Sequence, residues 1–294
     1  MPTSPRPFTP ARATLGVALL IAVASAAVWL LAAAGPAQSA FPGANGKIAF
    51  ERGAGILAMS ASGRGQRLVP NTGGASDPVW SPNGRQLAFE ESADPVTGGE
   101  EIGIVNADGK GRRKVTDGSD PAWAPDGRRI AYEDSGDVYV VNVNGSGRRR
   151  VVGNGDSPAW SPTGRAIAFT RKVGGNVDVF LVSPSGTGVR RLTSAPGKDD
   201  EPDWAPNGRR LAFVSDRRGS ENVFTMSASG SGVRQLTRFG GGTEGDDPAW
   251  SPDGRRIAFE RSRAGREDVL VMSASGSGQR RLASGGNPDW QRRR

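Results

Sequence analysis

The stretch that decides the fold is W-S-P-D-G-R-R-I-A-F, from Trp250 to Phe259, because its features recur along the chain. It joins a tryptophan, a turn of the form S/A-P-x-G-R and a triplet of an aliphatic residue, alanine and an aromatic residue. The tryptophan occurs six times, at Trp80, Trp123, Trp160, Trp204, Trp250 and Trp290. The aromatic residue that ends the triplet also occurs six times, at Phe50, Phe89, Tyr132, Phe169, Phe213 and Phe259. The chain is therefore a repeat protein.

The two ends of the repeat region are complementary fragments of one unit. The first triplet, Ile48 to Phe50, has no tryptophan before it, and the last tryptophan, Trp290, has no triplet after it. An open solenoid caps its ends with polar units, whereas a ring pairs its first and last strands in one sheet. The tryptophans are roughly 40 residues apart, which is typical of a four-stranded propeller blade. We therefore predict an all-β fold: a six-bladed β-propeller over residues 41–294, closed by pairing of its N- and C-terminal strands.

Alternating polarity and turn residues predict four strands in each repeat. In the last complete repeat, D-P-A-W at 247–250 is the first strand, and a turn containing proline and glycine leads to the second, R-I-A-F-E. Ile257 and Phe259 are expected on one face of that strand, with Ala258 on the other. D-V-L-V-M is the predicted third strand, and R-R-L-A is the outer fourth.

These repeats resemble those of TolB-type β-propellers, in which P-x-W-S-P-D-G-R-x-I-A-F is followed by x-I-Y-V-M-N-x-D-G-S-G and then R-R-L-T. Residues 80–116 fit this pattern well, and the resemblance covers residues 41–290. It implies the propeller fold but not one function, because such repeats occur in envelope-interaction proteins and in propellers attached to peptidases. We expect no extra N-terminal domain like that of TolB, so the partners of TolB are not transferred to this chain.

Residues 1–40 are predicted to be an export leader. Arg6 and Arg12 give it a positive start, residues 13–34 form an uncharged apolar run, and A-Q-S-A at 37–40 offers small residues for cleavage. The apolar run is also long enough to span a bilayer, so an uncleaved membrane anchor is the alternative to a signal peptide. Either leader predicts an exported propeller, whether extracellular, in the cell wall or in the periplasm.

The chain contains neither histidine nor cysteine in its 294 residues. This excludes Ser-His-Asp and Cys-His nucleophiles, thiolate metal sites and histidine-containing zinc sites, so we expect a protein without catalytic activity. Carboxylates can still perform acid–base chemistry or bind a hard cation. However, N-A-D-G-K-G at 106–111 lacks the distal glutamate of an EF-hand. We expect no cofactor, because no motif supports a bound calcium ion.

The connections between the predicted strands fall into two classes. The turns after the first and third strands keep one length in every repeat, whereas the connections after the second and fourth strands vary. In a propeller these classes lie on opposite faces, here named the constant-turn face and the variable-loop face. Repeat proteins concentrate functional variation on one loop face, which favours the variable-loop face as a binding surface. Neutral drift in loop length is the alternative explanation.

Charge follows the same division, because only Asp108, Asp126 and Asp253 of the 30 acidic residues fall on the constant-turn face. Candidate binding residues at the acidic channel mouth are Asp77, Asp120, Asp156, Asp200, Glu201 and Asp247. Candidates on the basic constant-turn face are Arg128, Arg129, Arg148, Arg149, Arg150, Arg280 and Arg281. Recurring arginines of this kind also shield blade edges and pack their stems over aromatic rings, which is the structural alternative.

The sequence favours an exported, non-catalytic interaction module of the cell envelope, expected to be a monomer. Its basic face suits an anionic envelope polymer, and its acidic face suits a cation or a basic peptide of a partner protein. One alternative is a carbohydrate- or lactone-active propeller enzyme that uses carboxylates and a divalent cation in the central channel; another is a structural spacer. Enzymes of this kind usually place histidine near the metal. We expect no nucleic acid ligand, given the export leader, and membrane contact only through an uncleaved leader.

Cleavage of the leader can be tested by N-terminal sequencing of the exported protein. We expect the mature chain to begin near Ala40 or Phe41, because signal peptidases cut after small residues like those at 37–40. A product that retains Met1 and fractionates with membranes would show that the leader is an anchor.

Overall fold

The computed structural model describes residues 41–53, 55–93 and 99–293, so the predicted leader lies outside it. These residues form 24 strands in six four-stranded antiparallel sheets, which confirms the predicted all-β, six-bladed propeller. The described ranges contain no helix with the length and apolar character needed to cross a membrane.

Each sheet is one blade. The strand that carries the repeat tryptophan is called the inner strand, and the other three follow it in chain order to the outer strand. Blade 1 consists of β24 (Gly286–Arg293), β1 (Ala44–Glu51), β2 (Ile56–Ser60) and β3 (Arg67–Leu68). Blade 2 consists of β4 (Ala75–Trp80), β5 (Gln86–Ser92), β6 (Glu100–Asn106) and β7 (Arg113–Asp117). Blade 3 consists of β8 (Ser119–Trp123), β9 (Arg129–Asp134), β10 (Asp137–Asn142) and β11 (Arg149–Gly153).

The other three blades follow the same order. Blade 4 consists of β12 (Asp156–Trp160), β13 (Ile167–Val173), β14 (Asn176–Val182) and β15 (Arg190–Arg191). Blade 5 consists of β16 (Asp199–Trp204), β17 (Arg210–Ser215), β18 (Asn222–Ser227) and β19 (Arg234–Gln235). Blade 6 consists of β20 (Thr243–Trp250), β21 (Arg256–Arg263), β22 (Arg266–Ser273) and β23 (Arg280–Ser284).

The ring closes as predicted, because the last strand of the chain is the inner strand of blade 1. β24 runs antiparallel to β1, with Trp290 opposite Ile48. The pairing extends beyond the predicted tryptophan, because the backbone N–H of Lys47 donates to Gln291 Oε1 at 3.1 Å. Gln291 Nε2 also donates to the carbonyl oxygen of Gly84 in blade 2, at 2.7 Å. The closing strand therefore bonds to two blades.

The hydrophobic core consists of six clusters, each shared by two neighbouring blades. In blade 6, Ile257 and Phe259 pack toward blade 5, whereas Ala258 packs toward blade 1. This is the alternation that the sequence predicts for a strand. At the closing interface, Ala258 shares its cluster with Ile48 and Trp290. Because every blade completes its core with both neighbours, losing one strand exposes apolar surface on two blades.

We expect deletion of residues 287–294 to lower stability by several kcal/mol. The deletion removes Trp290, and Trp→Ala alone typically costs about 3–5 kcal/mol in a core. It also exposes the edge of β1. Thermal unfolding of the wild type, this variant and a control lacking only residues 293–294 would measure the effect. The control should retain the wild-type melting temperature; the same result for the longer deletion would contradict closure by β24.

Candidate functional site

The candidate site is built around the residue three positions before each repeat tryptophan on the inner strand. These six ring residues are Asp77, Asp120, Ser157, Glu201, Asp247 and Asn287, and each precedes a proline. Their φ angles lie between 45° and 52°, in the left-handed region that is unfavourable for residues other than glycine. The strand pairing shifts register at this point in all six sheets. The distortion is therefore a β-bulge that belongs to the repeat.

The bulge leaves the backbone N–H of each ring residue bonded to a carboxylate. In four blades that carboxylate belongs to the preceding blade, so the bond joins neighbouring blades. Glu51, Glu90, Glu201 and Glu260 accept, respectively, from Asp77, Asp120, Asp247 and Asn287. In blades 4 and 5 the acceptor is the preceding residue, because Asp156 and Asp200 accept from Ser157 and Glu201 at 2.8 and 2.9 Å.

Three of these acceptors, Glu51, Glu90 and Glu260, were missed by the sequence analysis. Each directly follows the aromatic residue of the triplet, as does Glu133 of blade 3. Blades 4 and 5 have Thr170 and Val214 at that position. The recurring glutamate after the triplet was the available signal, but the sequence does not show that its side chain reaches the next blade.

All six acidic candidates lie on inner strands of blades 2 to 6. Asp77, Asp120, Glu201 and Asp247 are ring residues, and Asp156 and Asp200 stand one position before a ring residue. Only Asp156 is exposed; the other five are at most 8 % exposed. Besides burial, the carboxyl group of Glu90 raises the pKa of Asp77, and the carboxyl groups of Glu90 and Asp156 raise the pKa of Asp120. The structure therefore brings the predicted residues and the missed glutamates together in one group, here named the axial acidic cluster.

Burial and mutual repulsion shift the cluster toward its protonated form. Burial, followed by repulsion from neighbouring carboxylates, raises the pKa of Asp77, Asp120 and Asp247 well above the usual range. Burial also raises the pKa of Glu90 to about 7, and the pKa values of Glu201 and Glu260 to about 8. Several of these groups therefore hold protons at neutral pH.

Protein cations do little to neutralise the cluster. Lys198 Nζ lies 3.4 Å from Asp200 Oδ2 and 3.3 Å from Glu221 Oε1. Burial opposes its charge, yet Asp200, Glu201 and Glu221 together raise the pKa of Lys198. Of the six ring residues, Asp247 and Ser157 each have a buried side-chain oxygen, Oδ1 and Oγ, without a hydrogen-bond partner among the described residues, and Asp246 Oδ1 next to Asp247 has none either. Buried polar atoms normally have partners.

Carboxylate oxygens of Glu221, Glu244 and Asp246 lie within 4.8 Å of one another beside the ring, on blades 5 and 6. Burial and repulsion from Glu201 raise the pKa of Asp246 to about 10. Three oxygen ligands are a set that hard cations such as Ca²⁺ or Mn²⁺ accept. Glu244 and Asp246 both lie on β20, whereas Glu221 directly precedes β18 of blade 5, so spacing along the chain does not show that the three carboxylates meet.

The basic candidates do not form one uninterrupted cationic face. Ion pairs join four of them to carboxylates, namely Arg129–Asp126, Arg148–Asp134, Arg150–Asp137 and Arg281–Asp268. Three of these acids were assigned to the variable-loop face. Long arginine side chains reach across that division, so loop assignment from sequence overstates the charge separation.

Two further basic candidates bond to the neighbouring blade. Arg149 donates to the carbonyl oxygen of Pro184, and Arg280 donates to that of Ser62 at 3.2 Å. Both acceptors lie in the turn between the third and outer strands of the next blade. Arg128 remains exposed on the constant-turn face. These contacts agree with the structural alternative for most of the recurring arginines.

We expect the melting temperature to fall as pH rises from about 5 to about 8. The raised pKa values of Glu90, Glu201 and Glu260 mean that the folded protein holds protons that the unfolded chain has already released, so the free energy of unfolding decreases with pH. Replacing Glu90 and Glu260 by glutamine should flatten this dependence, because a neutral amide needs no proton. Circular dichroism melts at several pH values would test it, and a melting temperature that rises over the window would contradict a protonated cluster.

Comparison with known proteins assigns the chain to a protein family. The family model described as "TolB beta propeller domain" matches residues 101–289. No curated protein matches the chain significantly. The crystal structure of TolB from Acinetobacter baumannii is 19% identical, with a TM-score of 0.72 over 84% of this chain and 67% of that chain.

Two further solved structures share the fold. A putative TolB from Agrobacterium tumefaciens is 21% identical, with a TM-score of 0.68 over 83% of this chain and 91% of that chain. An oligogalacturonate lyase in complex with manganese is 14% identical, with a TM-score of 0.52 over 83% of this chain and 74% of that chain. Because the family model covers more than half of the sequence, the chain belongs to the TolB β-propeller family.

Proposed function

We propose that the protein is a non-catalytic binding propeller of the cell envelope whose axial acidic cluster receives a cationic group. The occupant is a basic side chain of a partner protein or a metal cation. The observation that carries the proposal is the cluster itself, in which many carboxyl groups face one lysine among the described residues. An entering cation would relieve the repulsion between these groups.

The ring residues support binding rather than a purely structural role. Six strained residues cost stability in the folded protein, and strain of this kind concentrates where a protein binds ligands. Asp77 is buried and accepts a hydrogen bond from Asn287, yet Glu90 and Glu51 repel its charged form. A fold that required only packing would be served better by apolar side chains at these positions. The unpartnered Asp247 Oδ1 offers an acceptor for the entering group.

Cation binding and proton release are coupled in this proposal. Burial raises the pKa values of Asp77, Asp120 and Asp247 and so favours their protonated form when no cation is present. A cation favours their ionised form and displaces those protons. Affinity for the cation should therefore increase with pH.

The constant-turn face supplies a second binding surface in the proposal, directed at an anionic envelope polymer. Of the basic candidates, Arg128 is exposed, whereas Arg129, Arg148, Arg150 and Arg281 are engaged in ion pairs. Ion-paired arginines still contribute hydrogen-bond donors, although their partners reduce the field available to a ligand. The export leader supports an extracellular, cell-wall or periplasmic location, and we propose that the protein is a monomer there.

One specific observation favours a second candidate function, a carbohydrate-active enzyme. The grouped carboxylates of Glu221, Glu244 and Asp246 could hold a divalent cation, and an oligogalacturonate lyase bound to manganese shares the fold. The chain has no histidine to complete such a site, which favours the binding module. Manganese-dependent release of unsaturated products from oligogalacturonate would support the enzyme instead.

Calorimetric titration of an oligolysine peptide into the protein tests the binding proposal. We expect tighter binding at pH 8 than at pH 6, with proton release that appears as a dependence of heat on buffer ionisation. A double variant, D77N/D247N, should bind the peptide at least about tenfold more weakly, because the amide side chains cannot become negatively charged. The same variant should melt at an equal or higher temperature at pH 8, because a neutral amide needs no bound proton in the folded protein.

A matched control replaces Asp108 and Asp117, which are exposed and lie outside the inner strands, by asparagine. It removes the same formal charge and should bind the peptide like the wild type. If both variants bind the peptide equally weakly, the loss is explained by net charge alone, and an axial site is contradicted. Parallel melts with calcium chloride would show whether a metal cation is bound instead of a basic side chain, because binding to the native state raises its melting temperature.

A further inference from the structure

A second charged surface lies at the outer edges of blades 5 and 6. Two grooves, of about 350 and 410 Å³, flank the turn between β22 and β23, and Ser277 lines both. We call them together the arginine grooves. Their lining includes six exposed arginines, three in each groove, namely Arg255, Arg256 and Arg280 in the smaller and Arg218, Arg234 and Arg238 in the larger.

Blade 5 differs from its neighbours in a way that leaves this edge positive. In four blades, an acidic residue near the start of the third strand pairs with a basic residue on the outer strand. These pairs are Glu101–Lys114, Asp137–Arg150, Asp178–Arg191 and Asp268–Arg281. The equivalent residues in blade 5 are Asn222 and Gln235, which are both neutral. Asn222 bonds instead to Thr237 and Phe239, so blade 5 lacks the carboxylate that pairs with the outer strand in those four blades. Blade 1 lacks it too, with Gly55 and Leu68 at these positions.

Within the part of the chain that the structure describes, none of the six arginines forms an ion pair with a carboxylate. Arg234 donates to the carbonyl oxygen of Ser275 at 3.0 Å, and Arg280 donates to that of Ser62 at 3.2 Å. A guanidinium carries five donors, so these bonds position the two side chains and leave most donors available. Asp253 lies near Arg255, but its carboxylate accepts from Ser251 Oγ at 2.6 Å and from the Arg255 backbone N–H at 3.0 Å.

We propose that the arginine grooves bind a linear acidic polysaccharide through its carboxylate or sulfate groups. Guanidinium groups recognise such planar or multidentate oxyanions through paired hydrogen bonds. Hydroxyl groups lie between the two sets of arginines, because Ser273, Ser275 and Ser277 form a hydrogen-bonded trio at 2.8–3.3 Å on the shared turn. These hydroxyls donate to and accept from sugar hydroxyls without an added charge.

The lining argues against two other polyanions. No aromatic ring lines either groove among the described residues, so bases of single-stranded nucleic acid have nothing to stack on. Val233, which is 40% exposed, is the only exposed large apolar side chain in the described part of the lining, so a lipid bilayer has little apolar surface to insert. The inference rests on the proposed binding of an anionic polymer and extends that surface from the constant-turn face to Arg218 and Arg238, which lie in variable-loop connections at the edge of blade 5. It is independent of the axial acidic cluster.

The test compares two variants of equal formal charge in the full chain. The groove variant is R218Q/R238Q/R255Q/R256Q, which keeps the two arginines that bond to neighbouring turns. The control is R64Q/R85Q/R165Q/R209Q, in which every replaced arginine is exposed on the constant-turn side of another blade or of blade 5 away from the grooves. Binding to polygalacturonate, heparin and neutral dextran would be measured by calorimetry at low and physiological salt, after thermal melts establish that both variants fold.

We expect wild-type binding to the two acidic polymers but not to dextran, with a roughly tenfold or greater loss in the groove variant and little change in the control. Equal losses of affinity in both variants would overturn the assignment of the binding site to the arginine grooves. They would instead indicate binding through the overall positive field of the protein. If neither acidic polymer binds, the inference is overturned. The peptide titration tests the axial acidic cluster separately, so its result does not depend on this one. Stronger, groove-dependent binding to single-stranded DNA or to phosphatidylglycerol vesicles would also overturn the assignment to a polysaccharide.

Discussion

The structure depends on the pairing of β24 with β1, because this contact brings together the two ends of the propeller. Every blade shares its core with two neighbours, so the six interfaces are complete only when the ring is closed. Trp290 occupies in the closing blade the place that Trp80 occupies in the next. Closure also pairs the edge of β1, which would be exposed without β24. The axial site follows from the same contact, since Asn287 of the closing strand donates to Asp77 of blade 2.

The axial acidic cluster places two unfavourable features at the centre of this closed ring. The ring residues adopt left-handed backbone angles, and their carboxylates repel one another at low exposure. Hydrogen bonds between blades offset part of this cost, because Glu51, Glu90, Glu201 and Glu260 accept from ring residues of the next blade. Bound protons offset another part. A cationic ligand could replace those protons, which links the strain of the fold to the proposed binding.

The two proposed surfaces use opposite charge for different physical reasons. At the axis, carboxylates from several blades converge because the inner strands converge, and one bulge per blade directs them there. At the outer edge, strands diverge, so charge accumulates only where a repeat departs from its neighbours. Asn222 and Gln235 are such a departure from blades 2, 3, 4 and 6, where an ion pair occupies these positions. The axial site therefore reflects what the repeats share, whereas the arginine grooves reflect how blade 5 differs from the two blades beside it.

The sequence by itself determined the blade number, the strand order and the closure of the ring. These depend on local periodicity, turn residues and complementary end fragments, all of which can be read along one chain. It also named Asp77, Asp120, Glu201 and Asp247 as candidate binding residues, and these four share one repeat position. Only the tertiary structure decided which side chains meet: Glu90 with Asp120, Glu221 with Asp246, and Arg148 with Asp134. Those meetings depend on how neighbouring blades twist and on where long side chains reach, and neither quantity follows from spacing along the chain.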